Sequence, residues 1–148
     1  MPTQPPAPLP PLQVIAIGYQ DSQPVVNDAK GLAVYKESGV YAAAGVDFAI
    51  SEPRFPEEER TEAEPRNLGL LNGAIADAVA GARQEGRVVL MTGGNCSHIT
   101  GIFGGLQDAH GAGTAIGLVW FDAHGDFNTP QTSITGRLFG MPAPSARG

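Results

Sequence analysis

The sequence holds a single cysteine, Cys96, in 148 residues. One thiol makes no intrachain disulfide, and a zinc cluster of the CxxC type needs more thiolates than the chain owns. A reducing cytoplasm is therefore the expected location. Basic residues are also few: nine Lys+Arg stand against fifteen Asp+Glu, for a net charge of −6. That is the wrong sign for neutralising phosphates, which removes nucleic acid and anionic membrane surfaces from the expected partners. Long apolar runs are missing too. The longest, Ala115 to Phe121, is far short of the roughly 20 residues a membrane span needs. The N-terminus lacks the charged-then-apolar order of a signal peptide. No glycine run fits G-x-G-x-x-G, and no P-loop Lys-Ser/Thr is present, so a dinucleotide fingerprint and a phosphate-cradling loop are excluded.

Proline and glycine, by contrast, are plentiful, at 13 and 20 residues. Six prolines fall within residues 1–11, where they remove backbone donors and favour polyproline II or disorder, so this stretch reads as a flexible tail. Residues 12–148 have the length of one domain of roughly 100–150 residues.

Short apolar runs alternate there with segments of helical period. Leu12 to Tyr19, Val46 to Ser51, Arg87 to Thr92 and Ala115 to Phe121 have strand length. The unbroken apolar stretches Val88 to Met91 and Leu118 to Phe121 suit strands buried on both faces. Leu68, Leu71, Ile75, Ala78, Val79 and Ala82 share one helical face, with Gly86 placed to end that helix. Weaker helices are expected over 28–44 and 97–110. The resulting β-α-β-α-β-α-β order predicts an α/β fold, a parallel sheet flanked by helices, with ligands at the carboxyl ends of the strands. Residues 52–64 hold six of the fifteen acids and read as a solvated loop. After Asp126 no acid follows and no closing strand is evident, so the sheet is expected to be incomplete at its C-terminal side, as in the front part of a longer domain.

Two stretches carry chemistry. Asp122-Ala-His124-Gly-Asp126 follows the apolar run ending at Phe121. On extended backbone, two carboxylates and an imidazole at spacing two point the same way and can converge on one divalent ion, with Mn²⁺, Fe²⁺, Co²⁺ or Zn²⁺ suited to such donors. The same residues are also ordinary turn formers. Gly93-Gly-Asn95-Cys96-Ser97-His98 follows the third strand and brings Cys96 to the same sheet edge. There Cys96 is open to three roles: metal ligand, nucleophile with His98 or His124 as base, or small buried hydrophobe. His98 and His110 read as polar or packed residues on or near the following helix.

Gly93-Gly-Asn95-Cys96-Ser97, then Val119 to Asp126 with Asn128-Thr-Pro130, then Gly136 and Gly140-Met-Pro142, resemble the arginase/agmatinase (ureohydrolase) family. The match is clear over 92–142, and the family's first motif normally reads Gly-Gly-Asp-His-Ser. The resemblance implies a three-layer α/β/α fold and a hydrolase acting on a small guanidino compound, such as arginine, hydroxyarginine or agmatine, by attack of a metal-bridging hydroxide. By that resemblance Asp122 bridges two divalent ions, His124 and Asp126 bind one each, and Cys96 takes the place of the family's first histidine ligand. Asp126 also orients the attacking hydroxide, while Asn128 and Thr135 hold the amino-acid end of the substrate. Manganese is the expected metal, with Zn²⁺ or Fe²⁺ brought into range by the thiolate, and a homo-oligomer is the expected assembly.

Three departures accompany the match. Cys96 stands in place of an imidazole, as in a branch acting on hydroxyguanidines. Phe139 stands where arginases carry a histidine proposed to shuttle protons. The family's later Asp-x-Asp motif has no counterpart in this sequence. A truncated non-catalytic remnant or binding subunit, and a Cys96-nucleophile amidinohydrolase independent of metal, are the alternative readings.

Overall fold

The computed structural model describes residues 8–145. Most of the expected proline-rich tail, residues 1–7, lies outside the described residues, as does 146–148. Strand β1 (Leu12–Ile17) is the centre of a three-stranded parallel sheet, with β4 (Phe48–Ser51) on one side and β5 (Val88–Gly93) on the other. Register runs from Leu12 opposite Phe48 and Val88 to Ile17 opposite Gly93. All three strands therefore end on the same edge.

Helix α2 (Glu64–Gln84) carries the main packing face. Pro65 suits the first turn, where its missing N–H costs nothing. At the far end Gly86 takes φ 74°. There Arg87 N–H donates to Ala82 O and Gly86 N–H to Arg83 O, a paired closure that satisfies the last carbonyls. Leu71, Ile75 and Val79 from α2 meet Ile15 and Ile17 from β1 in one core cluster with Phe55. Each such fully buried branched side chain contributes roughly 1.5–3 kcal/mol. Helix α3 (Ile99–His110) lies against α2 at glycine contacts: a Cβ on Gly105 would stand 2.6 Å from Val79 Cβ, and one on Gly101 would stand 3.0 Å from Ile75 Cβ. Helix α1 (Val26–Glu37) covers the opposite face, where Leu32 approaches Gly93. The layers are thus α1, sheet, and α2 with α3.

Several expected elements change. The strand expected to run to Tyr19 breaks at Gly18. Beyond it, β2 (Tyr19–Gln20) and β3 (Gln23–Pro24) form a small antiparallel hairpin. The helix expected over 28–44 stops at Glu37. Ser38 Oγ and Gly39, at φ 74°, turn the chain, and only a 3₁₀ turn at Ala42–Ala44 follows. The fourth strand expected at Ala115–Phe121 is chain without regular structure that pairs with no strand among the described residues. Burial on both faces also fails there and in β5: Val119 and Phe121 are exposed, and so are Val88 and Leu90 on the β5 face that looks away from the core. A strand is held by its neighbours, and among the described residues β5 ends the sheet with its outer edge unpaired. The acidic stretch 52–64 is a loop with one 3₁₀ turn, as expected, although Glu64 opens α2.

Candidate metal centre

At the carboxyl end of β5 the chain turns through Gly93 and Gly94, both at positive φ. Neither position has room for a side chain. A Cβ on Gly93 would strike Ile17 O, and one on Gly94 would stand 2.7 Å from His98 Nδ1. Asn95 then caps the following 3₁₀ turn (Cys96–His98), its Oδ1 accepting from Ser97 N–H at 3.2 Å and from Ser97 Oγ at 2.6 Å. This leaves Cys96, half-buried, at the sheet edge.

Asp122 reaches that edge from the end of segment 115–121, and Cys96 Sγ lies 3.6 Å from Asp122 Oδ2. Asp126 completes a group of three whose donor atoms all lie within 4.8 Å of one another. Asp126 holds the left-handed φ of 49°. Its carbonyl accepts from Ala143 N–H at 3.2 Å, and Asn128 N–H donates to Gly140 O at 3.1 Å. These bonds tie 126–128 to the segment around α4 (Pro142–Ser145), where Met141 and Ala143 are buried.

The expected convergence of residues 122, 124 and 126 is half realised. Residues 122–124 bend, so the alternation of an extended strand does not apply. Asp122 Oδ1 accepts from His124 N–H at 2.8 Å and lies 3.3 Å from His124 Nδ1, which leaves the imidazole outside the group with its side chain 81% exposed. The N–H of His124, foremost, holds the Asp122 carboxyl below the usual carboxylate range. Burial and then the neighbouring Asp126 push the Cys96 thiol up to about 11, so without a cation it is protonated at neutral pH. The two carboxylates that disfavour a thiolate are, with it, the charges a divalent cation would draw together. Three convergent donors with open positions fit such an ion, and the sulfur donor suits zinc or iron(II) better than an all-oxygen set would.

The group opens into a cavity of about 800 Å³, whose walls also include Asn128 and Thr135, the two residues expected to hold substrate, together with Phe139 and Arg137. Arg137 is a residue the sequence reading missed: its guanidinium carbon lies 5.7 Å from the centre of the Phe139 ring. A lone cation between Gly136 and Gly140 carries no signal of its own in the sequence. His98, expected to be an ordinary packed residue, is fully buried with both ring nitrogens in hydrogen bonds, and burial lowers its pKa. His110 sits at the end of α3, 3.5 Å from Arg83 Nε.

A family model described as Arginase family matches residues 25–147. The chain belongs to the arginase family. It is 32% identical to an arginase of Neurospora crassa over 148 aligned residues, which cover 88% of this chain and 41% of that protein. With Arginase-1 of Sus scrofa it is 40% identical over 78 residues, 53% of this chain and 23% of that protein. Among solved structures, the arginase of Bacillus caldovelox superposes with a TM-score of 0.73 at 26% identity, covering 91% of this chain and 48% of that one. The chain thus spans less than half the length of the arginases it matches. Its relatives in the family are hydrolases. No helix among the described residues is long and apolar enough to cross a membrane.

Proposed function

We propose that this arginase-family chain carries one part of a binuclear metal centre that hydrolyses a small guanidino compound. The observation that carries the reading is the convergence of Cys96, Asp122 and Asp126 at the mouth of the cavity, in a family that depends on two metal ions. Cys96, Asp122 and Asp126 would hold one divalent ion. Asp122 would also serve a second, to which His124 would turn from its exposed position. Manganese follows the family pattern, and the thiolate extends the range to zinc and iron(II). The chemistry that divalent ions supply when held in such a site is a hydroxide nucleophile near neutral pH.

The remaining roles fall to the chain itself. Asp126 would accept a proton from the attacking water and orient it toward the guanidinium carbon. Asn128 and Thr135 offer hydrogen bonds to the far end of a substrate, and Arg137 adds a cation to the same wall. A cation there suits a carboxylate, so the favoured substrates are guanidino acids such as arginine or hydroxyarginine rather than the amine agmatine. Phe139 supplies an apolar wall and transfers no proton. The cytoplasmic setting rests on the single unpaired thiol, and the homo-oligomer on family resemblance.

A second reading, a binding subunit without turnover, is favoured by one observation: among the described residues only three donors converge. The metal-independent cysteine nucleophile is disfavoured by the raised thiol pKa. Urea release from guanidino substrates by the chain loaded with Mn²⁺ or Zn²⁺ decides between the first two. Turnover abolished in Asp126→Asn supports the hydrolase, and no release with any metal leaves the binding subunit. In an active preparation, Arg137→Gln is expected to lower kcat/KM for a guanidino acid by roughly 10–100-fold and to leave agmatine unaffected.

A further inference from the structure

We propose that the turn at Asp21, between β2 and β3, is a positioning element that fixes Cys96 against Asp122 and Asp126 through Asn95 and His98. The proposal deepens the metal-centre reading and rests on it for its functional meaning.

Asp21 acts on the three donors through their neighbours: it holds both flanks of the loop that carries Cys96. Its side-chain Oδ1 accepts from Asn95 Nδ2 at 3.2 Å, and its carbonyl lies 2.9 Å from His98 Nε2. A carbonyl only accepts, so Nε2 carries the proton, and Nδ1 is then free to accept from Asn95 N–H at 3.0 Å. One neutral tautomer satisfies both contacts, and the ring has no solvent exposure. The Gly94 backbone closes against it, leaving no room for even a Cβ. Behind the loop, Asn72 Nδ2 donates to Ser97 O at 3.1 Å. Cys96 therefore sits between two residues that are each tied down.

The turn is itself anchored to α2. Glu64 Oε1 accepts from Ser22 N–H at 2.8 Å, and Glu64 Oε2 accepts from Gln23 Nε2 at 3.2 Å. Asp21 holds φ 47°, a conformation uncommon for a residue with a side chain and tolerated best by Asn and Asp. That conformation aims its carbonyl and carboxylate at one loop.

The test uses the full chain with two readouts. In the metal-free chain, the rate of Cys96 alkylation by iodoacetamide at fixed pH reports how firmly the loop keeps the half-buried thiol out of reach of the reagent. With Co²⁺ as probe, the thiolate-to-cobalt absorption band and the affinity report Cys96 as a ligand. Asp21→Ala is expected to speed alkylation roughly tenfold, to weaken Co²⁺ binding roughly 10–100-fold and to diminish the band. Asp21→Asn, which keeps both the acceptor and the left-handed preference, is expected to stay within about twofold of wild type on both readouts. Its rescue separates positioning from general loss of structure, which circular dichroism monitors in parallel. Alkylation of Asp21→Ala at the wild-type rate overturns the proposal, as does an Asp21→Asn variant as impaired as Asp21→Ala. A wild-type chain that binds no Co²⁺ refutes the metal-centre reading alone, and the alkylation comparison still decides the role of Asp21.

Discussion

Val14, Ile15 and Ile17 in β1 are fully shielded from solvent, whereas Val119 and Phe121, of the same strand-forming chemistry, are 77% and 96% exposed. The difference lies in partners rather than in residue type. β1 has a strand on each side and α2 across one face, while 115–121 has no paired strand among the described residues. Yet the exposed region delivers Asp122 and Asp126, and the packed region delivers Cys96. The candidate site therefore joins a packed half to a half that pairs with no strand among the described residues. Its chemistry depends on how well the second is held, and the bonds from Asp126 and Asn128 to the α4 region are the visible restraint.

This contrast gives a graded set of expectations for chemical denaturation of the full chain. The largest effect belongs to the core: Ile75→Ala empties a fully buried position between α2 and the sheet and should cost about 2–5 kcal/mol. Gly105→Ala follows, at about 1–3 kcal/mol, because the new methyl has Val79 Cβ 2.6 Å away and the α2 backbone beside it. Phe121→Ser should change stability by less than about 0.5 kcal/mol despite deleting a large aromatic ring, since that ring has little surface to lose. A Phe121→Ser loss as large as that of Ile75→Ala would break the comparison and show that 115–121 is packed in solution.

A further effect separates the regions by pH. Burial tends to raise Glu64, but its bonds from Ser22 and Gln23 outweigh that and leave its pKa lowered. A carboxylate depressed in the folded state contributes stability above its unfolded pKa, and the contribution is lost as pH falls through the lower folded value. Glu64→Gln should therefore flatten the acid limb of the stability profile below about pH 4.3. An unchanged acid limb would show that the Asp21 turn is not anchored through this carboxylate.

Periodicity and capping signals are enough to read α2 in the packed half, but not where β1 and α1 end. The α2 stripe of Leu71, Ile75 and Val79 and the stop at Gly86 are local properties of the chain, and they appear where expected. The unbroken apolar run 115–121 was legible as strand-forming sequence, but pairing is a property of the neighbours, which local sequence does not contain. The same limit applies to the site. Asp122 and Asp126 come together, but not through the alternation of extended backbone that their spacing suggests: the chain bends, and Asp122 captures the backbone of His124. The Asp21 to His98 contact spans 77 positions, and no local signal in either segment announces it. Arg137 was overlooked because a lone arginine has meaning only once the cavity wall it joins is known.

The proposed metal centre stands or falls on whether Cys96, Asp122 and Asp126 hold an ion. Its most direct test is elemental analysis of the chain purified in Mn²⁺ and separately in Zn²⁺, with Asp126→Ala alongside. At least about one ion per folded chain is expected with one of the two metals, lost in the variant. A soluble, folded chain that retains no ion in either preparation would contradict it.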